Sequence, residues 1–280
     1  MKILLVGNSS LAQVLRPVLA SFADVLTAGR RDCDVTLDLG WPVEQFRLPS
    51  GIDVVVNTAA HFAGPDFNAI LAAEDINTLG GLKLCHAARA AGVRHFVQIS
   101  SINAGLDSAS DYYGIYAISK RHADEAIAYY CAKAKLPCAI LRPSQLYGGA
   151  ATFSRHQPFL YGTLEKALGN EDIVIYGSRD ARRNYLHAQD FCRIIAAVVS
   201  GGVEGLYCCT SEQDSSLLEV ANAAIKAAGS TSSVAFDLAM NDIPDNVFPY
   251  DDQLYRLTDT YPAIGIEDGI ARLAADRSAA

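Results

Sequence analysis

The 280-residue sequence lacks several features that mark whole classes of protein. It contains no block of lysine and arginine, and its formal net charge is -8, which argues against nucleic acid as a partner. Its hydrophobic runs are only as long as strands, so none predicts a membrane-spanning helix. The first apolar run begins at Ile3 and is over at Gly7, which predicts no signal peptide. The chain also has no internal repeat and no low-complexity linker.

The seven cysteines form no CxxC pair and show no ligand spacing with histidine. They are Cys33, Cys85, Cys131, Cys138, Cys192, Cys208 and Cys209. Scattered thiols of this kind are typical of small buried hydrophobic residues in a reducing compartment. We therefore expect a cytoplasmic protein without a metal site. Half of the residues are hydrophobic, at 50%, enough for one large domain with an appended lobe or for two small domains.

Short apolar runs that end in glycine or polar residues recur through the first half of the chain. Strands are predicted at 2–6, 25–28, 35–39, 53–57, 95–99 and 137–141. Helices are predicted between them: one capped by Asn8 or Ser9 and kinked or shortened by Pro17, one at 75–91, and one that contains Tyr116. This alternation predicts an α/β fold with a doubly wound parallel sheet.

Ligands of such sheets bind beyond the carboxyl ends of the strands, so Gly7, Arg30, Ala60 and Ser101 should share a crevice. From residue 150 the pattern changes to a mixture of glycine, proline and charge. Helices are predicted near 160–168, at 190–199 and at 217–228, with a strand at 205–209 and an irregular tail from 243. We expect these discontinuous pieces to form a second, smaller lobe.

Two arginines, Arg30 and Arg31, follow the second predicted strand directly after Gly29. At this position of a dinucleotide-binding fold, an acidic residue suits a free ribose 2'-hydroxyl, whereas an arginine suits a 2'-phosphate. An ordinary exposed basic turn is the alternative. The loop after the first strand keeps only its first glycine, because Ser10 and Gln13 stand where such folds place two more.

Tyr116 and Lys120 are four residues apart, so a helix would present both on one face. A lysine ammonium beside a phenol lowers the pKa of the tyrosine. Tyr116 is therefore a candidate proton donor or acceptor near neutral pH. Such a pair is common by chance, and a surface helix with a solvated lysine is the alternative.

Further motifs occur in a consistent order along nearly the whole chain. They are 53–60, Asn77 with Gly80, 92–101, Tyr116 with Lys120, 141–148, 183–190, 217–221 and 266–270. With these motifs the chain resembles the extended short-chain dehydrogenase/reductases, a family that includes nucleotide-sugar epimerases, dehydratases and reductases. The resemblance implies a Rossmann-type dinucleotide-binding domain at 1–149, completed by 184–210. It also implies a small C-terminal substrate-binding lobe built from 150–183 and 211–280.

The resemblance implies hydride transfer between a nicotinamide and a carbon that bears oxygen. Tyr116 would deliver the proton, and Ser101 would hydrogen-bond the developing oxyanion. Lys120 would lower the pKa of the tyrosine and bind the nicotinamide ribose. Asn77 would hold a proton-relay water near Lys120, or it would instead be a helix-interior asparagine that satisfies a backbone group.

The resemblance also implies binding residues for both ligands. Those for the cofactor are Gly7, Ser9, Ser10, Leu11, Arg30, Arg31, Asp38, Leu39, Ala59, Ala60, His61, Tyr116, Lys120 and Pro143. Those for the substrate are Asn103, Gln145, Arg155, His156 and Arg183. Arg183 suits a diphosphate because its guanidinium matches phosphate oxygens, whereas Arg155 and His156 could equally be solvated surface groups. Arg142 could form a structural ion pair, and His187 is expected to be structural.

We expect an NADPH-dependent reductase of a nucleotide-linked keto-sugar, with NADP(H) favoured and NAD(H) still open. A nucleotide-sugar epimerase that retains NAD is the first alternative. A regulator that senses a dinucleotide without catalysis and a subunit that serves assembly are alternatives of other classes. The expected partner is the small-molecule substrate, not nucleic acid or a membrane, and a homodimer is left open.

Overall fold

The structure is a computed structural model that describes residues 1–62, 64–149 and 151–278. The strands are β1 (Lys2–Val6), β2 (Asp24–Gly29), β3 (Val35–Thr36), β4 (Val54–Asn57), β5 (His95–Ile99), β6 (Cys138–Pro143), β7 (Gln145–Tyr147), β8 (Ile173–Tyr176), β9 (Arg182–Arg183), β10 (Tyr185–His187), β11 (Gly205–Cys209), β12 (Ser215–Ser216) and β13 (Val234–Asp237). The α-helices are α1 (Ser10–Ala20), α2 (Phe67–Ala73), α3 (Gly81–Ala90), α4 (Ile115–Ala134), α5 (Pro158–Leu168), α6 (Ala188–Gly201), α7 (Leu217–Ala228), α8 (Gln253–Thr258) and α9 (Ile266–Ser278).

The chain divides into two compact units, each built from several segments. Unit 1 is Met1–Pro143, Cys192–Cys209 and Gln253–Thr260, and unit 2 is Ser144–Phe191, Thr210–Asp252 and Tyr261–Ala280. These bounds differ from the predicted ones, because 144–149, 184–191 and 210 fall in unit 2 and 253–260 fall in unit 1. Residue 150, where the predicted lobe begins, lies outside the described residues.

Unit 1 is organised around a seven-stranded sheet with the order β11-β6-β5-β4-β1-β2-β3. Every neighbouring pair in this sheet is parallel. The predicted Rossmann-type parallel sheet is therefore confirmed. The chain winds outward from β1 in both directions, so the strand order reverses between β1 and β4. In open α/β sheets, ligands bind beyond the carboxyl ends of the strands at such a reversal.

Continuous apolar runs form the central strands because both faces of the sheet are covered. Ile3, Leu4 and Leu5 of β1 are fully buried, and Val55 of β4 and Phe96 of β5 are buried beside them. Leu4, Val55 and Phe96 share one cluster with buried residues of α3 and α4. This packing fixes the ends of the strands, where the predicted site residues lie.

Two local features of this unit differ from the sequence-based expectation. Helix α1 is not shortened at Pro17, since it continues to Ala20, and a kink there stays a prediction. Leu15 and Leu19 flank Pro17 and are fully buried, so packing holds the helix although the proline lacks one backbone donor. The third strand is also shorter than predicted and ends at Thr36.

The helix predicted at 75–91 begins earlier and is irregular. It starts with α2, passes through the π-helical segment Glu74–Gly80, and continues as α3 to Ala90. A π-helical segment inside an α-helix often lies at a functional position. Here it carries Asn77, which is buried.

Unit 2 contains three two-stranded pairings and packed helices. β7 pairs with β10 and β8 with β13 in parallel, whereas β9 and β12 are antiparallel. The predicted irregular tail is wrong, since α8 and α9 are helical. Gly269 interrupts the apolar spacing of α9, and a Cβ there would lie 2.1 Å from the Tyr147 hydroxyl. The glycine therefore admits the Tyr147 ring, whose hydroxyl donates to the Gly265 carbonyl at 3.2 Å.

None of the helices in the described part of the chain has the length and apolarity that crossing a membrane requires.

Candidate active site

The first turn of α4 brings together three of the predicted catalytic side chains. Tyr116 lies in this turn, and its phenol is hydrogen-bonded to Ser101, which follows β5. Lys120 lies one turn further along α4, with Nζ 6.0 Å from the centre of the Tyr116 ring. Its ammonium donates to the Ile99 carbonyl at 3.0 Å. The carboxyl end of β5 and the start of α4 thus place a phenol, a hydroxyl and an ammonium side by side.

The pKa of Tyr116 shifts in the direction opposite to the sequence-based expectation. Burial raises it to about 12, and the negative charge of Asp124 adds to the rise, whereas the hydrogen bond with Ser101 lowers it. The expected net lowering is therefore wrong, because burial outweighs any effect of the Lys120 ammonium. That ammonium is bonded to the Ile99 carbonyl, and its Nζ lies 6.0 Å from the ring centre. Tyr116 is a protonated phenol at neutral pH.

Lys120 is almost completely buried, with 1% of its surface exposed. Burial lowers its pKa to about 8, and the Asp124 carboxylate one turn further along α4 counteracts this effect. Asp124 in turn accepts from Nε of Arg142 at 2.7 Å. Arg142 therefore forms the ion pair that the sequence left as one alternative.

Asn77 fastens the π-helical segment to two other parts of unit 1. Its Oδ1 accepts from the His61 amide at 2.8 Å, and its Nδ2 donates to the His61 carbonyl at 2.9 Å. Nδ2 also donates to Oγ of Ser119 at 3.0 Å, and that hydroxyl donates to the Tyr116 carbonyl. Protein groups therefore bond both the oxygen and the nitrogen of the Asn77 side chain, which agrees with the alternative that Asn77 satisfies a backbone group. A proton-relay role for Asn77 stays a prediction.

A cleft of about 880 Å³ lies at the carboxyl ends of β1, β2 and β4. Nine predicted cofactor residues line it: Gly7, Ser9, Arg30, Arg31, Asp38, Leu39, Ala59, Ala60 and His61. The lining also includes residues that sequence reasoning missed, namely Val6, Asn8, Gly29, Leu37, Gly40, Ala72, Asp75 and Ile76. Ala72, Asp75 and Ile76 belong to the irregular helix, whose early start gave no clear signal in the sequence.

The remaining predicted cofactor residues do not line this cleft. Ser10 and Leu11 begin α1, and Leu11 is buried. Pro143 ends β6 and is buried as well. Tyr116 and Lys120 belong to the α4 cluster described above.

The loop after β1 is tight where it passes β4. Gly7 has a φ of 102°, and a Cβ there would lie 2.9 Å from the Ala59 amide nitrogen. Only glycine permits this approach without strain. Ser9 caps α1, as predicted for Asn8 or Ser9, by accepting from the Ala12 amide at 3.3 Å. The amino end of α1 therefore faces the cleft through Ser9, in an arrangement suited to an anion.

The two arginines after β2 are exposed on the edge of the cleft. Asp34, a nearby acid, is held locally: its Oδ2 accepts from the amide and the hydroxyl of Thr27, each at 2.8 Å. These bonds lower the pKa of Asp34, so the carboxylate stays ionised and committed to Thr27. The positive charge at this edge of the cleft therefore comes from Arg30 and Arg31.

The predicted substrate residues occur in both units. Asn103 lies in unit 1, half-buried, and its amide donates to Oγ of Ser101 at 3.2 Å. In unit 2, Arg155 and His156 are exposed, which agrees with the surface alternative. Gln145 is half-buried, and its Oε1 has no hydrogen-bond partner among the described residues.

Arg183 is almost buried in unit 2, with 9% of its surface exposed. Its Nη1 donates to the carbonyls of Arg182 at 3.1 Å and Pro244 at 2.6 Å. These bonds fix one edge of the guanidinium against the backbone. A contact between Arg183 and a diphosphate stays a prediction.

His187 is buried, and burial lowers its pKa to about 4. Its ring lies edge-on to Tyr147, with the ring centres 5.1 Å apart, and its Nδ1 accepts from the Gln189 amide. Nearby, Asp190 accepts from the amides of Ala263 and Ile264 at 2.9 and 2.8 Å. This motif therefore holds the backbone of unit 2 together, as expected for a structural histidine.

Among the described residues, no group of three or more His, Cys, Asp or Glu side chains is arranged to hold a metal ion.

Solved structures share this fold over the whole chain. RMD from Pseudomonas aeruginosa, complexed with NADPH, matches with a TM-score of 0.82 at 19% identity, covering 100% of this chain and 99% of that one. The UDP-glucose 4-epimerase of Thermus thermophilus, in complex with NAD, matches with a TM-score of 0.75 at 20% identity, covering 100% of both chains. At these identities the likeness concerns the fold.

Comparison of the amino-acid sequences, in contrast, identifies the family. The chain is 28% identical over 194 residues to the dTDP-D-glucose 4,6-dehydratase of Mus musculus, a match that covers 65% of this chain and 54% of that protein. The chain thus spans about half the length of that relative. The model of the NAD dependent epimerase/dehydratase family matches residues 20–206, which include β5, all of α4 and the Arg30–Arg31 turn. The chain therefore belongs to the NAD dependent epimerase/dehydratase family.

Proposed function

We propose that this chain is an NADPH-dependent reductase that acts on a nucleotide-linked keto-sugar. The observation that carries the proposal is the cluster at the start of α4, where the Tyr116 phenol is hydrogen-bonded to Ser101 and Nζ of Lys120 lies 6.0 Å from the centre of the Tyr116 ring. Reduction of a ketone consumes a proton at the carbonyl oxygen, so it needs the neutral phenol. Burial raises the pKa of Tyr116, so the phenol holds this proton at neutral pH. An epimerase uses the same phenol in both protonation states, since it first oxidises and then reduces its substrate, so the choice of a reductase rests on the cleft.

The cleft beside β1 suits a dinucleotide. Gly7 brings the backbone close to the residues after β4, the capped end of α1 faces the cleft, and the arginine pair at its edge would bind a ribose 2'-phosphate. A bound nicotinamide cofactor would supply the hydride. The Asp34 carboxylate is hydrogen-bonded to Thr27 and would therefore not compete for the ribose hydroxyls. This supports NADP(H) over NAD(H).

The protein side chains would manage the proton and the developing charge. Tyr116 would donate its phenolic proton to the carbonyl oxygen, while the Ser101 hydroxyl would hydrogen-bond that oxygen as negative charge develops. The Lys120 ammonium, held by the Ile99 carbonyl, would stabilise the phenolate left behind. Asp124 would keep that ammonium charged in its buried position.

A nucleotide-sugar is the proposed substrate class. The similar proteins include a dTDP-D-glucose 4,6-dehydratase and a UDP-glucose 4-epimerase. Arg183 supports a diphosphate contact, because guanidinium edges match phosphate oxygens and Nη1 already orients the group. Gln145, with an Oε1 that has no partner among the described residues, would accept from a sugar hydroxyl.

A nucleotide-sugar epimerase that retains NAD is the second candidate. The family description and the Thermus thermophilus neighbour favour it. The loop after β1 argues against it, because Ser10 and Gln13 stand in place of two glycines. Those glycines would let the backbone approach a permanently bound pyrophosphate closely. The connected Ser101–Tyr116–Lys120 cluster argues against both a regulator without catalysis and a subunit that serves assembly only.

Cofactor content and turnover together test the proposal. The purified protein should carry little dinucleotide by native mass spectrometry, bind NADPH more tightly than NADH, and oxidise NADPH only when a nucleotide-linked keto-sugar is added. Tightly bound NAD combined with interconversion of two sugar epimers would replace the reductase by the epimerase. Binding of NADPH without turnover of any keto-sugar in a broad panel would favour the regulator.

A further inference from the structure

An aromatic ring from outside the predicted site covers one face of Tyr116. Phe62 stacks on the phenol ring, with ring centres 4.9 Å apart and planes inclined by 16°. Phe62 follows β4 and remains 51% exposed. One face of the Phe62 ring is therefore covered by Tyr116, and about half of the side chain faces solvent.

The backbone that carries Phe62 is fastened just before the ring. The amide and the carbonyl of His61 are both bonded to the Asn77 side chain, at 2.8 and 2.9 Å. Ala59, two residues earlier, donates its amide to Oδ1 of Asn57 at 3.2 Å. Loop residues are usually mobile, so these side-chain bonds indicate a ring that is held in place.

The same network also reaches the backbone of Tyr116. Asn77 donates to Oγ of Ser119, which donates to the Tyr116 carbonyl at 3.1 Å. One buried amide therefore fixes both partners of the stack: the loop that carries Phe62 and the helical turn that carries Tyr116. A stacked pair with both backbones held has little freedom to reorient.

We propose that Phe62 is a positioning residue that holds the Tyr116 phenol in its reactive orientation and keeps water from one face of the ring. The inference rests on the proposed function, in which Tyr116 donates the proton. The role is indirect, because Phe62 has no group that can exchange a proton. Its stacked ring limits rotation of the phenol, and its apolar surface removes that face from solvent.

The exclusion of water from the ring face that Phe62 covers also contributes to the high proton affinity of the Tyr116 phenol. The polar groups around Tyr116 are Ser101 after β5, and Lys120 and Asp124 on α4, whereas the loop after β4 presents the Phe62 ring. Removing that ring admits water on one side and favours the phenolate. The pKa of Tyr116 in a Phe62→Ala variant should therefore move from about 12 toward the ordinary value of about 10.

The first measurement needs neither cofactor nor turnover. In protein with isotope-labelled tyrosine, the Tyr116 signals are identified by their loss in Tyr116→Phe. Phe62→Ala should remove the ring-current shift of these signals and let them titrate by about pH 11, where the unmodified protein should still hold the proton. Phe62→Tyr, which keeps the stack, should restore both properties. Unchanged Tyr116 signals in Phe62→Ala would overturn the proposal.

The second measurement is steady-state turnover. Phe62→Ala should lower kcat roughly three- to tenfold, the range expected from losing one aromatic pair, and leave the NADPH Kd unchanged. Phe67→Ala, which removes a ring 72% exposed at the start of α2, is the matched control and should leave kcat unchanged. An equal loss of kcat in both variants, or a change confined to NADPH affinity, would also overturn the proposal. If the protein is an epimerase, the reductase assignment fails while the Tyr116 signals still report on the stack.

Discussion

Two regions of unit 1, both at the carboxyl ends of strands in its sheet, are built differently. Around the start of α4, Lys120, Ser119 and Asn77 are buried and joined by hydrogen bonds of 2.8–3.1 Å to neighbouring backbone or side chains. At the carboxyl ends of β1 and β2, the cleft is edged by the exposed Arg30 and Arg31. We call the first region the α4 end and the second the β1–β2 end.

The contrast teaches how rigidity is distributed. Buried polar networks that are fully bonded hold side chains in one arrangement, which suits groups that must meet a reacting atom. Exposed arginines bind a phosphate through electrostatic attraction that salt weakens, which suits a ligand that exchanges in each catalytic cycle. The comparison predicts a fixed catalytic centre beside an exchangeable cofactor, and the following changes would break or sharpen it.

Removing the proposed proton donor should have the largest effect. Tyr116→Phe keeps the ring and its stack but loses the phenolic proton, so we expect turnover to fall by about two orders of magnitude or more. The Kd for NADPH should change little, since the β1–β2 end is untouched. Tyr129→Phe, an exposed tyrosine of the same helix, is the control. Near-normal turnover in Tyr116→Phe would remove the assigned role.

Neutralising the arginine pair should act only at the β1–β2 end. Arg30→Ala with Arg31→Ala removes one or two charge-assisted phosphate contacts, each worth about a tenfold to hundredfold difference in affinity. Binding of NADPH should weaken and binding of NADH should not, as measured by fluorescence titration. Arg16→Ala, an exposed cation of α1 outside the cleft, controls for net charge. Tighter binding of NADH than NADPH in the unmodified protein would contradict the assignment.

The pH dependence of reduction should report on Lys120. Its pKa is lowered to about 8 by burial, so the ammonium is present below this value and is lost above it. If the charge stabilises the phenolate, kcat should fall by up to about tenfold per pH unit above pH 8. Lys120→Arg should abolish this decline, because a guanidinium stays charged. A flat profile through pH 10 in the unmodified protein would show that this charge is not required.

Arg183 should affect substrate affinity and leave the α4 end alone. If its guanidinium binds a diphosphate, Arg183→Ala should raise KM for a nucleotide-sugar severalfold more than for a sugar without the nucleotide. Arg182→Ala, an exposed neighbour that donates to the Asp214 carbonyl, is the control. Equal increases for both substrates would indicate that Arg183 only supports the backbone around Pro244.

The sequence predicted the parallel sheet and the α4 cluster for a physical reason. Continuous apolar strands report burial on both faces, and a spacing of four places Tyr116 and Lys120 on one side of a helix. The separation of four residues could not reveal which group the Lys120 ammonium bonds. The Ile99 carbonyl holds it, so the pKa of Tyr116 follows burial instead of the expected charge effect.

Other features left no local signal. The stack of Phe62 on Tyr116 joins a loop to a helix more than fifty residues away, and no periodicity encodes such a contact. The π-helical segment looks like any helix in the sequence, yet it presents Asn77 to the backbone of His61. Helix α9 was missed because Gly269, required by the Tyr147 hydroxyl, interrupts its apolar face.

The fate of the hydride tests the central claim most directly. In parallel reactions the protein is supplied with a nucleotide-linked keto-sugar or with the corresponding hydroxylated nucleotide-sugar, each with NADPH carrying deuterium at the transferable position of the nicotinamide, and the products are analysed by mass spectrometry. A reductase consumes about one NADPH per sugar reduced and delivers one deuterium to the sugar. Interconversion of two epimers with no net consumption of NADPH and no deuterium in the product would contradict the account.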